Sequence, residues 1–504
     1  MHIETLGQGN DKLRAFGSNI YLDGYLRLDA WLALFGLVLC FGALIWFFLS
    51  PWLFHLQVSI LLLSLLLLVI GGIGVLQSPP AWMWIGLIVF VFGLMDFTIR
   101  RGGVEAGGFD IQSIFKGLVW ILILIFGLVH GARHVFRDNL LSSLFLYSVF
   151  AFGSAFYSRA MFLGVGSGVA LLAIAMYASV ISAWPEQRVR RMWQGLFITV
   201  FILAAASLFL YFVFPDWARD WRASGAGRLK GVTGSGNSLG PIMSAGVIVG
   251  TYLLTTMKSK LETFAVLGAV IVILVALVLS QSRASMIGLA MAFLLVAAFR
   301  NFFMMLVTAA IAGVLVWTTL QPDIWKESLD LAASVLSRSG RIGEITTFTG
   351  RSQIWAAIIP EWLNSPWIGY GLGSPRIIIS EAYTGPWGQK FESAHNWLLE
   401  SLISFGIAGT LLLVIFLGRL GWRLWHFQPP APQASGRGID WQLVITMRRL
   451  FIFCLVSGVM EKAFAGMPSP TTILLACMAG SCAVLSKNGA MVPSDLHSGG
   501  SHRT

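Results

Sequence analysis

Residues 350–374 read GRSQIWAAIIPEWLNSPWIGYGLGS, and residues 392–409 read ESAHNWLLESLISFGIAG. The first stretch opens at Arg351 and carries an apolar stripe at Trp355, Ile358 and Trp362, the spacing of a short helix in a loop. The second passes from His395 directly into a segment apolar enough to enter a bilayer. Together they bound the longest polar interruption in a chain otherwise built of hydrocarbon-length apolar segments. That contrast makes the expected fold all-α: a polytopic membrane protein with one large loop containing short helices.

Composition agrees. Of 504 residues, 57% are hydrophobic and only 11% charged, and the mean hydropathy is +0.78. A soluble domain carries about 25% charged residues. The net charge of +11 therefore belongs to individual loops. No basic face on a soluble element suggests nucleic acid, which is excluded as a partner. Cys40, Cys454, Cys477 and Cys482 lie in or beside apolar segments without metal-type spacing, and read as small buried side chains. The polar first 29 residues, with no small-residue cleavage site after Leu49, predict a retained first helix rather than a removed leader.

A spanning helix needs about 20 mostly apolar residues. Candidate spans run near 30–49, 53–76, 81–97, 114–131, 139–157, 161–184, 193–214, 239–257, 262–280, 284–299, 302–319, 396–417, 448–464 and 469–486, which sets the expectation at about 12 to 14 transmembrane helices. Arg133, Arg137, Arg188, Arg190, Arg191, Lys258, Lys260, Arg300, Arg419 and Arg423 follow even-numbered spans. By the positive-inside rule those ends are cytoplasmic and the N-terminus is inside. Arg100 and Arg101 oppose the pattern, softened by Glu105 and Asp110. The organisation expected is a cytoplasmic segment 1–29, transmembrane helices over 30–319, a large outer loop 320–394, and C-terminal helices over 395–486. A cytoplasmic linker at 428–446 interrupts the last group, and 487–504 read as a disordered tail.

This topology leaves basic residues on the outer face, against the insertion preference. The loop 215–238 holds Arg219, Arg222, Arg228 and Lys230 against Asp216 and Asp220. The turn Gln281-Ser282-Arg283 and the large loop supply Arg283, Arg351 and His395. Each of these lies at or just before a helix start. Asn237, Ser238 and Pro241 mark one N-terminus, Ser282 can cap another, and Ser393 can cap the span that would place His395 in its first turn. Helix N-termini offer unpaired N–H groups and partial positive charge. With three guanidinium groups added, the ligand they suit is a phosphate or diphosphate.

The bland readings differ by residue. An arginine at a membrane boundary is ordinarily a topology anchor, which covers Arg219 and Arg222. Arg283 sits in an apolar hairpin, where a charge is costly unless used or paired. Glu400, about one turn inside its span, could pair with an arginine or hold one in place, and reads as structural. Glu461 and Lys462 read as a mutually neutralising pair.

Four motifs, in order, resemble the O-antigen ligase and polysaccharide polymerase superfamily of bacterial inner-membrane glycosyltransferases. They are Arg228-Leu-Lys-Gly231 leading to Asn237-Ser-Leu-Gly240; Ser280-Gln-Ser-Arg283; Gly350-Arg351 through Ile354-Trp355 to Pro366-Trp-Ile-Gly-Tyr-Gly371; and His395-Asn396 with Glu400 and Gly406. The resemblance covers roughly residues 140–420. The run Thr233-Gly-Ser-Gly before Asn237 is looser than the family's bulkier pattern.

The resemblance implies a multi-pass protein of the bacterial inner membrane whose active site faces the periplasm. It implies an inverting glycosyltransferase without metal or other cofactor. The donor would be an undecaprenyl-diphosphate-linked glycan, and the acceptor a glycan or lipid. Membrane lipids and chain-length or export proteins are the other expected partners. His395 and Arg351 are the catalytic candidates. Arg228, Lys230, Arg283 and Arg351 are the diphosphate-binding set, with Asn237, Asn396 and Glu400 in support. The scheme agrees with electrostatics: negative charge grows on the leaving diphosphate, which preorganised arginines and helix ends stabilise. His395 is the loop's base of suitable intrinsic pKa, and nearby arginines and a helix end would disfavour its cationic form. No Asp-x-Asp pair lies in an outer loop. Polymerase is favoured narrowly over ligase. A transporter or flippase of lipid-linked glycan is the alternative, to be recognised by broken helices and charges near the bilayer midplane.

Overall fold

The computed structural model describes residues 111–220, 227–298, 306, 351–385, 390–427 and 440–487, all within one compact unit, Val89–Thr504. The spans expected at 30–49, 53–76 and 81–97, and that at 302–319 apart from residue 306, lie outside the described residues. So do Arg222, the part of the large loop over 320–350, the linker over 428–439 and the tail beyond 487.

Long apolar runs bounded by capping residues give the helices their limits. They are α1 (Ile111–Val135), α2 (Asn139–Ser154, extended by a 3-10 turn Ala155–Tyr157), α3 (Met161–Ile181), α4 (Glu186–Val213), α5 (Gly236–Thr256), α6 (Lys260–Ser280) and α7 (Arg283–Ala298). Then come α8 (Arg351–Asn364), α9 (Pro375–Ala382), α10 (Trp397–His426), α11 (Trp441–Val459) and α12 (Pro470–Lys487). Asp138 caps α2 by accepting from Leu140 and Leu141 N–H. Ser259 and Glu262 form a capping box on α6. The protein is all-α, the described exception being a two-residue ribbon, β1 (Arg219–Asp220) against β2 (Arg228–Leu229).

Nine described helices are long and apolar enough to cross a membrane: α1 to α6 and α10 to α12. α7, expected to span, is a shorter apolar helix. α11 begins at Trp441, so the last residues of the expected 428–446 linker are helical, and the span expected at 448–464 starts and stops earlier. α12 is the most enclosed, with 89% of its apolar window buried.

Cross-links sort the connections into two ends. At one, Arg423 pairs with Asp138 at 2.6 Å and Arg419 donates to Asn139 O at 2.8 Å. Tyr252 Oη donates to Asp440 at 2.7 Å, and Lys487 reaches Ser182 O at 2.8 Å. This end collects the basic termini of even-numbered spans. At the other end the 154–159 connection meets the 366–374 loop: Leu372 N–H donates to Ser154 Oγ at 3.1 Å and Arg159 N–H to Ser374 Oγ at 3.0 Å.

α10 is not continuous. Gly406 takes φ 59° and ψ −161°, breaking the helix. Four backbone groups beside the break are answered by the Pro366–Gly371 loop. Ile407 and Ala408 N–H donate to Pro366 and Trp367 O, while Tyr370 and Gly371 N–H donate to Ile403 and Ser404 O, at 2.8–3.0 Å. Backbone groups left unpaired inside a membrane would cost several kcal/mol each. Mostly unbroken spans were expected to separate this chain from a transporter. α10 departs from that, yet its break is closed by protein.

Candidate functional site

Helix α8 presents Ile354 and Ile358, one turn apart and buried, to a cluster with Ile379, Ala394 and Ile403, flanked by Trp355 and Trp362. Trp355 Nε1 also donates to Ala394 O at 2.9 Å. The expected stripe 355/358/362 is thus centred one residue earlier. Its effect is to fasten the helix that begins at Arg351 onto the segment that holds His395.

That segment does not end as expected. Ser393 does not cap α10; Asn396 does, its Oδ1 accepting from Leu398 and Leu399 N–H at 2.9 and 3.1 Å. His395 therefore stands outside the helix, in the left-handed region at φ 48°, with its N–H on Ser393 Oγ at 3.1 Å. Such a conformation costs a β-carbon residue about 1–3 kcal/mol and persists where the surroundings impose it. Two of those surroundings are visible. Asn396 Nδ2 donates to Val459 O at 3.1 Å, and buried Glu400 accepts from Ala394 N–H at 2.8 Å. Asn396 thus ties the start of α10 to the end of α11, and Glu400, expected to pair with or hold an arginine, holds the backbone before His395 instead.

The turned-out imidazole meets an acid that the sequence reading paired elsewhere. Glu461, just past α11, takes Arg351 Nη2 on Oε1 at 2.8 Å and His395 Nδ1 on Oε2 at 3.1 Å. The expected Glu461–Lys462 neutralisation is overturned by this geometry. So is the expectation that His395 faces only cationic surroundings. The side chains of Arg351, Glu461 and His395 are 14%, 13% and 27% exposed. Burial pushes the Glu461 carboxyl up, but the His395 hydrogen bond and charge, followed by Arg351, outweigh it and hold it below the usual carboxylate value. An ionised carboxylate only accepts. The Nδ1 facing it therefore carries a proton in either state of the ring, and in the neutral ring Nε2 is the nitrogen able to accept one. The signal for Glu461 was its place: an acid at the end of an apolar span, at the same end as Arg351 and His395.

Arg228 lies deeper, 4% exposed on β2. Its Nε donates to Ser280 O at 2.5 Å, and Nη2 donates to Asn237 Oδ1. Gly236 leaves room for the guanidinium, since a β-carbon there would collide with it. Asn237 is thus a partner of Arg228 and not a helix cap; Ser235 caps α5 through Ser238 N–H. Ser280 ends α6, Gln281 turns left-handed at φ 49°, and Arg283 opens α7, as expected. Arg228 consequently holds the turn that presents Arg283. Lys230 is half-buried beside it, its backbone N–H on Ala218 O at 2.9 Å.

The two groups share one end of the bundle. α7 and α11 run antiparallel: Arg449 stacks over Phe293 at 4.5 Å, and Gly288 faces Phe453 and Ser457. Continuing that register brings the backbone of Arg283 level with Val459, two residues before Glu461. The N-termini of α5, α7 and α10 all lie at this end. Among the described residues no His, Cys, Asp and Glu group could hold a metal ion.

Residues 268–414 match the family model described as O-antigen ligase. The matched interval contains Arg283, Arg351, His395, Glu400 and the Gly406 break, while Arg228, Asn237 and Glu461 lie outside it. Comparison with curated proteins found no match.

Proposed function

We propose, from the premise of an O-antigen ligase segment at 268–414, that this multi-pass membrane protein polymerises or ligates undecaprenyl-diphosphate-linked oligosaccharide at the periplasmic face. The observation that carries the reading is the single carboxylate of Glu461 joining Arg351 to His395. It unites a base with a diphosphate-binding cation at an end where helix N-termini gather.

In this scheme the acceptor hydroxyl oxygen attacks the anomeric carbon, and the bond from that carbon to the diphosphate oxygen breaks with inversion. His395 Nε2 takes the hydroxyl proton, and Glu461 supports the imidazolium that forms, as a carboxylate behind a histidine does. The undecaprenyl diphosphate departs as an anion. Arg283 and Arg351 carry the charge that develops on it, and the N-terminal N–H groups add to theirs. Arg228, being buried and engaged, sets the 280–283 turn and so aims Arg283. The basic ends of the even-numbered spans support an outward-facing site. No step calls for a metal ion.

The test is reconstitution with an undecaprenyl-diphosphate oligosaccharide. Wild type should form product without added magnesium. His395→Ala and Arg351→Ala should abolish it while still inserting and folding, and Arg351→Lys should lose most of it because a fork-shaped donor matters. Wild-type rates from His395→Ala would remove the base assignment. Longer glycans as product mean a polymerase, our preferred reading; transfer to a lipid acceptor means a ligase.

A further inference from the structure

α8 is apolar on two sides, and only one is explained by the cluster around Ile354 and Ile358. The other carries Ala356, Ile359, Pro360 and Leu363 at helical spacing and continues into Trp367 and Ile368. Ile359, Leu363, Trp367 and Ile368 are 45%, 60%, 70% and 50% exposed. In water this would be a contiguous apolar patch of the kind that marks an interaction surface.

Its depth identifies the partner. The carbonyls of Pro366 and Trp367 accept from Ile407 and Ala408, some ten residues into α10 from its start at Trp397. α10 runs antiparallel to α2: Arg419 bonds Asn139 O, and Gly409 abuts the Phe150 ring. That register sets Ile407 and Ala408 level with Phe150–Phe152. α2 and its 3-10 turn form a candidate span ending at Tyr157. The 366–367 carbonyls therefore sit about 10 Å inside the boundary that Tyr157 marks, at 1.5 Å per residue. Tyr157 Oη reaches down to Ile368 O at 2.8 Å. The patch is continuous with Ile407 and Leu411, 40% and 55% exposed on the outward side of a spanning helix.

We infer that the outer face of α8 and residues 366–368 form a re-entrant element lodged among the acyl chains of the leaflet at the site end of the bundle. The backbone meets the condition for irregular chain at that depth, because the α10 break pairs the loop's carbonyls and amides. Trp367 is the side chain such an element places near a bilayer interface. The helix that carries Arg351 thus rises from the lipid, and its cation stands where a lipid headgroup would. The inference rests on packing and register and does not depend on the transferase reading.

The test uses full-length protein in phosphatidylcholine vesicles with a nitroxide on Leu363→Cys, Ile359→Cys or, for comparison, Lys390→Cys. Cys40→Ala is the background; Cys454, Cys477 and Cys482 are buried. Collisions with oxygen, which concentrates in lipid, are compared with those of a water-soluble nickel complex. Positions 363 and 359 should show an oxygen-to-nickel ratio several-fold above that of position 390. A ratio at 363 and 359 equal to that at 390 would overturn the inference. Shielding of both positions from both reagents would also overturn it, since a second copy or another protein would then cover the face.

Discussion

At the residue scale the site turns on where one carboxylate sits. Glu461 accepts from a guanidinium and an imidazole separated from it by 110 and 66 positions. Replacing it by Gln removes the charge and sets an NH2 donor against one of the two donors. In the reconstituted reaction we expect Glu461→Gln to lose about 10²-fold or more in turnover, the usual share of positioned acid–base catalysis. The folded-state pKa of Glu461 is depressed, so its pairing stabilises the protein above the unfolded carboxyl value of about 4.3. That contribution disappears as pH falls through the lower folded value. Thermal unfolding should therefore separate wild type from Glu461→Gln near pH 7, with the gap closing as the pH falls below the usual carboxylate range. A gap that persists or widens on acidification would contradict the pairing. The partner was illegible beforehand because Lys462 is adjacent in sequence, and adjacency is a poor guide to which charges meet in space.

At the element scale, α10 depends on a foreign loop to complete it. The motif Pro366-Trp-Ile-Gly-Tyr-Gly371 reads in sequence as a turn-rich link. Its work is to replace the hydrogen bonds lost at Gly406. A β-carbon on Gly369 would lie 2.6 Å from Gly406 N, Ile403 O and Phe405 N, all backbone, at a φ of +66°. Gly369→Ala should destabilise by the left-handed strain of about 1–2 kcal/mol together with the displacement of α10. Gly418→Ala, where nothing lies within 4 Å, should be neutral or gain up to about 1 kcal/mol from helix propensity. Thermal unfolding of the purified protein in detergent compares the two. Equal midpoints would mean that the loop does not brace the break. Helix limits were legible to within a few residues where a cap stands beside an apolar run, as at Asn139 and Arg283. The start of α11 was missed because Arg448 and Arg449 interrupt its apolar run and left Trp441–Met447 attached to the polar linker.

At the scale of the whole molecule, the two ends differ in charge and in role. Arg419 and Arg423 lie at one end with Asn139 and Asp138; Arg351, His395 and Glu461 lie at the other. If the positive-inside reading holds, an impermeant maleimide added outside the inner membrane should label Lys390→Cys and spare Trp422→Cys, 69% exposed at the opposite end, in the Cys40→Ala background. The reverse pattern would put the site in the cytoplasm and end the periplasmic reading. By itself the sequence determined the class of this protein: apolar length forces helices across a bilayer, because backbone groups there have no water to bond. It also determined that Arg283 and Arg351 open helices, since charges and helix starts are local signals. Only the tertiary structure decided that His395 stands outside its helix, that Arg228 is buried under a turn, that a loop fills the break in α10, and that Glu461 joins Arg351 to His395. Those four are choices of partner across long stretches of chain, and packing between helices makes them, where no period or neighbour in the sequence records the contact.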